Sequence, residues 1–255
     1  MPQYVVKIAE SDEELRAAQH LRYEVFVAEL GGGGSMVDHD SRLEKDRFDP
    51  FCDHLILLDA DRAGDVADRI VGVYRLMRDD QARAAGQFYS QDEYDLTALK
   101  TCGRPLLELG RSCLHKDYRG GAAMFHIWNG ISAYVTEHKV EILFGVASFH
   151  GTDIAALAQP LSLLHHRHRA PEALRVAVLP ENGVAMNLLP PEEVDRKAAM
   201  LAMPSLIKAY LRLGGVVGDG AFVDHAFNTT DVCLIMDTAQ LSEKQKSLYS
   251  REVTA

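Results

Sequence analysis

Apolar and polar positions fall into short blocks along the chain, and the blocks predict its elements. Tyr4 to Ile8 reads as a short strand. Ser11 with Glu14 three residues on is a capping-box signature, and it opens a helix. Leu15, Ala18, Arg22, Val25, Phe26 and Glu29 then recur at helical spacing, so one mostly apolar face carries a single arginine. Gly31 to Gly34 end this helix, and the polar stretch that follows makes residues 31–53 a long mobile loop. His54–Ala60 and Ile70–Arg78 read as an antiparallel strand pair across a polar connection. Residues 79–103 are mixed with weak helical character, and Leu106–His115 reads as a strand containing Gly110. From Gly121 to His138, Met124, Ile127, Trp128, Ile131 and Val135 mark a helix. Ile142–Phe149 reads as a buried strand, Asp153–His165 as a helix and Val176–Leu179 as a strand. A helix over Glu192–Leu213, kinked or restarted at Pro204, precedes two strands, Ala221–Ala226 and Val232–Asp237. Residues 238–255 form a polar C-terminal tail. The order predicts a mixed α/β fold, a central sheet flanked by helices, in one domain over residues 1–255.

Composition narrows the class. With 47% hydrophobic and 25% charged residues in 255, this is a globular chain, neither disordered nor a disulfide scaffold. The net charge of −10 argues against a nucleic-acid coat. The deficit is uneven: residues 1–100 carry 12 basic and 21 acidic side chains, residues 101–255 carry 15 and 16. An acidic partner is therefore expected to meet the second part. Four cysteines without a CxxC pair predict reduced thiols and a cytoplasmic protein, with no secretory signal and no membrane span.

The candidate chemistry centres on LLELGRSCLHKDYRGG, where Glu108 and Arg111 share a strand. A spacing of three points strand side chains to opposite faces, and a bulge at Gly110 would re-aim one of them into a common cleft. The alternative is a structural ion pair. Gly120 and Gly121, ahead of a helix, form an anion-binding turn or a glycine-eased helix start. The His165–His168 cluster, interrupted by Arg167, reads as a solvated basic patch and not as a metal site. Asp38-His39-Asp40 reads the same way. Cys113 reads as a buried, inert thiol.

Together, LRYEVFVAELGG (21–32), EKDRFDPFCDHL (44–55), VGVYRLMR (71–78), GQFYSQDEYDL (86–96), LELGRSCLHKDYRGG (107–121), LFGVASFHGTD (143–153), PSLIKAYLRLGG (204–215) and FNTTDV (227–232) resemble the bacterial L-ornithine Nα-acyltransferases of the GNAT superfamily. LRYEVF, EKDRFD, YRL and ELGR are more distantly similar to acyl-homoserine-lactone synthases. The resemblance implies a GNAT-like fold and transfer of a 3-hydroxyacyl chain from acyl carrier protein to the α-amine of ornithine. Glutamine is the alternative acceptor, homoserine-lactone synthesis a further enzymatic reading, and a membrane-surface module the non-enzymatic one. It implies Glu108 and Arg111 as catalytic, and Arg22, Phe26, Asp46, Asp49 and Arg75 as substrate-binding. Asp46 and Asp49 are expected to hold a cationic side chain or order loop closure. Lys116, Arg119, Gly120, Gly121, Arg167 and Arg169 are expected to meet the acidic carrier protein and its phosphopantetheine arm. No metal and no separate cofactor is expected, nor any nucleic acid; peripheral contact with the inner face of the cytoplasmic membrane is. One departure is visible: with Arg119 aligned on the R/Q-x-x-G-x-G/A turn of coenzyme A enzymes, Ala122 and Met124 stand at the small-residue positions.

Overall fold

The structure is a computed structural model that describes residues 2–241; most of the expected C-terminal tail, residues 242–255, lies outside them. In chain order the elements are β1 (Tyr4–Ile8), α1 (Asp12–Arg22), β2 (Asp53–Asp59), α2 (Val66–Arg69), β3 (Ile70–Arg78), α3 (Asp79–Ala85), β4 (Tyr94–Asp95), α4 (Thr97–Thr101) and β5 (Leu106–Leu114). There follow α5 (Ala123–Glu137), β6 (Ile142–His150), α6 (Ala158–His168), β7 (Ala177–Val178), β8 (Gly183–Val184), α7 (Arg196–Ala202), α8 (Ser205–Arg212), β9 (Val216–Val217), β10 (Ala221–Asp224) and β11 (Thr229–Asp237). They cluster in two compact units, one of residues 2–85 and 109–139, the other of residues 86–108 and 140–241. Strand β5 supplies its first three residues to the second unit and the rest to the first.

In the first unit β1, β2 and β3 pair antiparallel, and β5 follows β3. Strand periodicity sorts the side chains onto two faces. Leu55 lies against Gly130 of α5, Leu57 and Leu114 lie beside Gly72, and Tyr74 meets Trp128 edge-on. Ile56, Leu58, Val73 and Cys113 instead cluster with Ala17, Ala18, Leu21 and Val25, the apolar stripe of the first helix. Arg75, two residues after Val73, points to this same face.

The first helix begins as expected, with the Ser11 hydroxyl accepting the Glu14 N–H. It does not stay α-helical. Tyr23–Glu29 is wound as a π-helix, with Leu30 N–H donating to Val25 O five residues back. Gly31, at φ +73°, closes it. Within the segment expected to be a mobile loop, Leu43, Glu44, Phe48 and Asp49 are buried. The segment is polar in sequence yet packed, because it buries the charged Glu44 and Asp49 alongside Leu43 and Phe48.

In the second unit β5 and β6 are parallel, and β6 pairs antiparallel with β11 along its whole length. Strands β10 and β8 continue from β11, with β9 also on β11. The helix expected from Asp153 starts later, at Ala158, because the Asp153 carboxylate first closes a turn on the amides of Ala155 and Ala156. Pro204 restarts the next helix, separating α7 from α8. The short strands β8 and β9 carry no pattern long enough to be read from sequence.

Candidate active site

Three arginines and three carboxylates of the first unit close into an alternating ring. Arg22 leaves the last turn of α1, Arg75 comes from β3 and Arg111 from β5, while Glu44, Asp46 and Asp49 come from the packed segment. Arg22 donates through Nε to Glu44 Oε2 (2.5 Å) and through Nη1 to Asp49 Oδ1 (2.9 Å). Arg75 Nη1 donates to Asp49 Oδ1 (2.8 Å) and to Asp46 Oδ1 (2.6 Å). Arg111 donates through Nη2 to Asp46 Oδ2 (2.9 Å) and through Nε to Glu44 Oε1 (3.1 Å). Each carboxylate bridges two guanidiniums and each guanidinium two carboxylates. Gln19 adds a bond to Asp49 Oδ2, and His54 Nε2 lies 3.1 Å from the Asp49 carbonyl.

Burial alone would raise the three carboxyl pKa values. The guanidinium charges outweigh it and hold all three below the ordinary carboxylate range, Asp49 furthest. The side chains of Arg22, Arg75, Glu44 and Asp49 are at most 3% exposed, whereas that of Arg111 keeps 11% and that of Asp46 18%. Among the ring's guanidiniums, Arg111 is therefore the one with most access to solvent. Asp46 and Asp49 each meet two guanidiniums within the ring. Phe26 is half-buried and packs against the α1 cluster. Glu44 was not singled out from sequence. Its signal was the EKDRFD block itself, with three carboxylates to set against three unmatched arginines.

The β5 backbone is irregular where expected, one residue on. Arg111, not Gly110, takes the left-handed conformation, at φ +51°, a strained geometry for a non-glycine residue. The ring holds the side chain that the strain re-aims. Cys113, on the α1 face, is buried and its thiol is pushed up to about 12 by desolvation, so it is not a nucleophile at neutral pH.

Glu108, on the part of β5 in the second unit, is 4% exposed. Its carboxylate accepts from Tyr89 N–H (2.8 Å), Ser90 N–H (2.7 Å) and the Ser90 hydroxyl (2.5 Å). The donors belong to a single 3-10 turn, Tyr89–Asp92, in the GQFYSQDEYDL segment. Neither Tyr89 nor Ser90 was a sequence candidate, since backbone donors leave no mark in a sequence.

At the glycine turn, Gly120 has φ +76°, and both Gly120 and Gly121 are exposed with no atom within 4 Å of where a Cβ would sit. Ala122 caps α5 without a side-chain hydrogen bond. Lys116 is exposed; Arg119 forks onto Glu29 (2.5 and 2.7 Å) and donates to the Leu114 carbonyl. In the second unit Arg167 and Arg169 are exposed, and Arg169 lies 3.9 Å from Asp219. The grouping of metal-ligating side chains found among the described residues is Glu93, Asp224 and Asp231, whose carboxylate oxygens lie within 4.8 Å of one another.

The strand order, the parallel β5–β6 pair and the irregular strand that carries Glu108 and Arg111 define an acyltransferase of the GNAT class. A family description reading "Acetyltransferase (GNAT) domain" matches residues 21–129. In fold the chain is similar to an N-acyl amino acid synthase from uncultured soil microbes (TM-score 0.54, 12% identity, 94% and 93% of the two chains covered). It is similar also to the AHL synthase LasI (TM-score 0.51, 14% identity, 98% and 96% covered). In sequence it is 58% identical to the L-ornithine Nα-acyltransferase of Rhodobacter capsulatus, covering 98% of this chain and 96% of that one. The enzyme of the same name from Brucella abortus is 44% identical over 97% and 89%. The chain belongs to the L-ornithine Nα-acyltransferase family.

Proposed function

We propose that this acyltransferase moves a 3-hydroxyacyl group from the phosphopantetheine thioester of acyl carrier protein to the α-amine of L-ornithine, giving lyso-ornithine lipid. The near full-length identity of 58% to an enzyme of that name carries the acceptor assignment. An α-ammonium must lose a proton before its nitrogen attacks the thioester carbon. Glu108, buried and held by three donors, accepts that proton directly or through one water. The C–N bond forms, the tetrahedral oxyanion is met by backbone N–H groups near Gly110, and as the nitrogen gives up its second proton the C–S bond breaks, the sulfur taking a proton to leave as the carrier thiol. Arg111, held by Glu44 and Asp46, orients the acceptor carboxylate in this reading.

Two observations support a protein-borne donor. The turn at Arg119–Met124 carries Ala122 in place of the glycine and Met124 in place of the small residue of coenzyme A enzymes, and Arg119 is already committed to Glu29. Exposed Lys116 and Arg169 supply positive charge for an acidic carrier in a chain of net charge −10. The test is mass spectrometry of products after incubation with 3-hydroxyacyl carrier protein, and separately 3-hydroxyacyl coenzyme A, against a panel of amino acids. N-acylornithine formed from the carrier protein is expected. Preferred acylation of glutamine, or equal use of coenzyme A, would overturn the acceptor or the donor respectively.

A further inference from the structure

A groove of about 470 Å³ lies on the second unit, and of the residues given a role in the reaction only Arg167 is among those that line it. Arg167, Arg196, Lys208 and Arg212 line it, together with His166 and His168. No carboxylate is among its lining residues. Its remaining walls are apolar, with Leu163, Val194, Met200 and Leu211 the principal ones.

Charge in this groove is handled unlike charge elsewhere in the chain. Arg22, Arg42, Arg78, Arg104 and Arg119 each meet a carboxylate within 3 Å. Arg167, Arg196 and Lys208 form no ion pair among the described residues. The nearest acid in sequence, Asp195, turns its carboxylate onto the amides of Lys197 and Ala198 as the cap of α7. In a chain of net charge −10, three unmatched cations around one concavity call for an anion from outside.

The surroundings select which anion. Leu201, next to groove-lining Met200 on α7, is 73% exposed, the most exposed large apolar side chain among the described residues. Leu188, one residue before the carbonyl that meets His166 at 2.8 Å, is 38% exposed. Cations lining a concavity, with exposed leucines next to it in sequence, match a lipid–water interface, where ammonium and guanidinium groups stay with the headgroups and aliphatic side chains enter the hydrocarbon. A soluble acidic protein offers no hydrocarbon layer for Leu201.

The geometry points to this groove, with α7 and Leu201, as the surface by which the second unit docks on membranes bearing anionic phospholipid headgroups. Docking uses Arg196, Lys208 and Arg167 for the phosphates and Leu201 for the acyl region. The inference is independent of the acceptor and donor assignments, because it is read by binding alone.

Full-length protein is sedimented with vesicles of phosphatidylcholine, and with vesicles of phosphatidylcholine mixed with phosphatidylglycerol. Binding is expected to the mixed vesicles only, falling steeply with added salt. The double variant Arg196→Glu/Lys208→Glu is expected to lose binding by about tenfold or more. Leu201→Ser, at an exposed position that leaves the fold intact, is expected to weaken binding by several-fold while keeping its salt dependence. Equal binding of wild type to both vesicle types overturns the proposal without any variant. Two other results also overturn it. One is thermal protection by inorganic phosphate with no vesicle binding, which marks a small-anion site. The other is a raised KM for acyl carrier protein in the double variant with vesicle binding unchanged, which makes the groove a protein-docking surface.

Discussion

Glu108 accepts three hydrogen bonds from one turn, so it both holds that turn and is the group nominated to take the proton. Substitution separates the two roles. Glu108→Gln turns an N–H group toward donors that needed an acceptor, and is expected to cost about 1–3 kcal/mol of stability. Its loss of turnover is expected to be far larger in consequence, about two to four orders of magnitude. Ser90→Ala removes one donor and keeps the carboxylate, and is expected to cost about 1 kcal/mol with most turnover retained. Equal kcat losses in the two variants would make Glu108 a residue that positions the turn and nothing more. Asp49→Asn tests the neighbouring ring. Leaving Arg22 and Arg75 short of a buried partner is expected to cost about 3–5 kcal/mol in denaturant unfolding. The variant's KM is expected to rise equally for ornithine and for a neutral acceptor of similar length. A selective loss for ornithine would return Asp49 to direct recognition of the substrate.

The elements divide by how far their signal lies from themselves. Strands β2, β3, β5 and β6 and helix α5 were legible because their apolar periodicity is local. Ser11 marked the start of α1 for the same reason. The π-helix after Arg22 was not legible, since Tyr23–Glu29 fits α-periodicity equally well and the extra residue per turn is set by packing. The burial of Glu44 and Asp49 was hidden too, because its determinants, Arg22, Arg75 and Arg111, come from three other elements. Gly110 correctly announced an irregular strand, yet the left-handed residue is Arg111, held there by partners that Gly110 does not have. Helix α5 offers a direct check on its packing. A Cβ at Gly130 would stand 2.4 Å from Val6 Cγ1 and 3.3 Å from Leu55. Gly130→Val is therefore expected to destabilise the protein by about 1–3 kcal/mol, seen as a lowered Tm. An unchanged Tm would mean that α5 is free to move off the strands beneath it.

For the molecule as a whole, acid is the informative perturbation. Glu44, Asp46 and Asp49 have folded pKa values below the ordinary ones of 4.5, 3.8 and 3.8, so their ionisation favours the folded state. The sign follows from linkage: this stabilisation is complete above the ordinary carboxylate range and is lost as pH falls below about 4 through the folded values. Unfolding free energy measured in denaturant is expected to be flat in this contribution from pH 6 to about 5 and to decline below about 4. In Asp49→Asn the decline is expected to be shallower; an unchanged slope would show that other carboxylates govern it. The ring has a further consequence, for inheritance. A closed circuit of partners has no end at which change can begin. Replacing any one of the six breaks two links, whereas replacing its neighbour afterwards breaks only one more. The cost falls on the first step, so Asp46→Asn combined with Arg111→Gln is expected to be less than additive. Along a lineage, then, Arg22, Glu44, Asp46, Asp49, Arg75 and Arg111 are expected to behave as one heritable unit, kept together or exchanged together, with few descendants carrying five of the six.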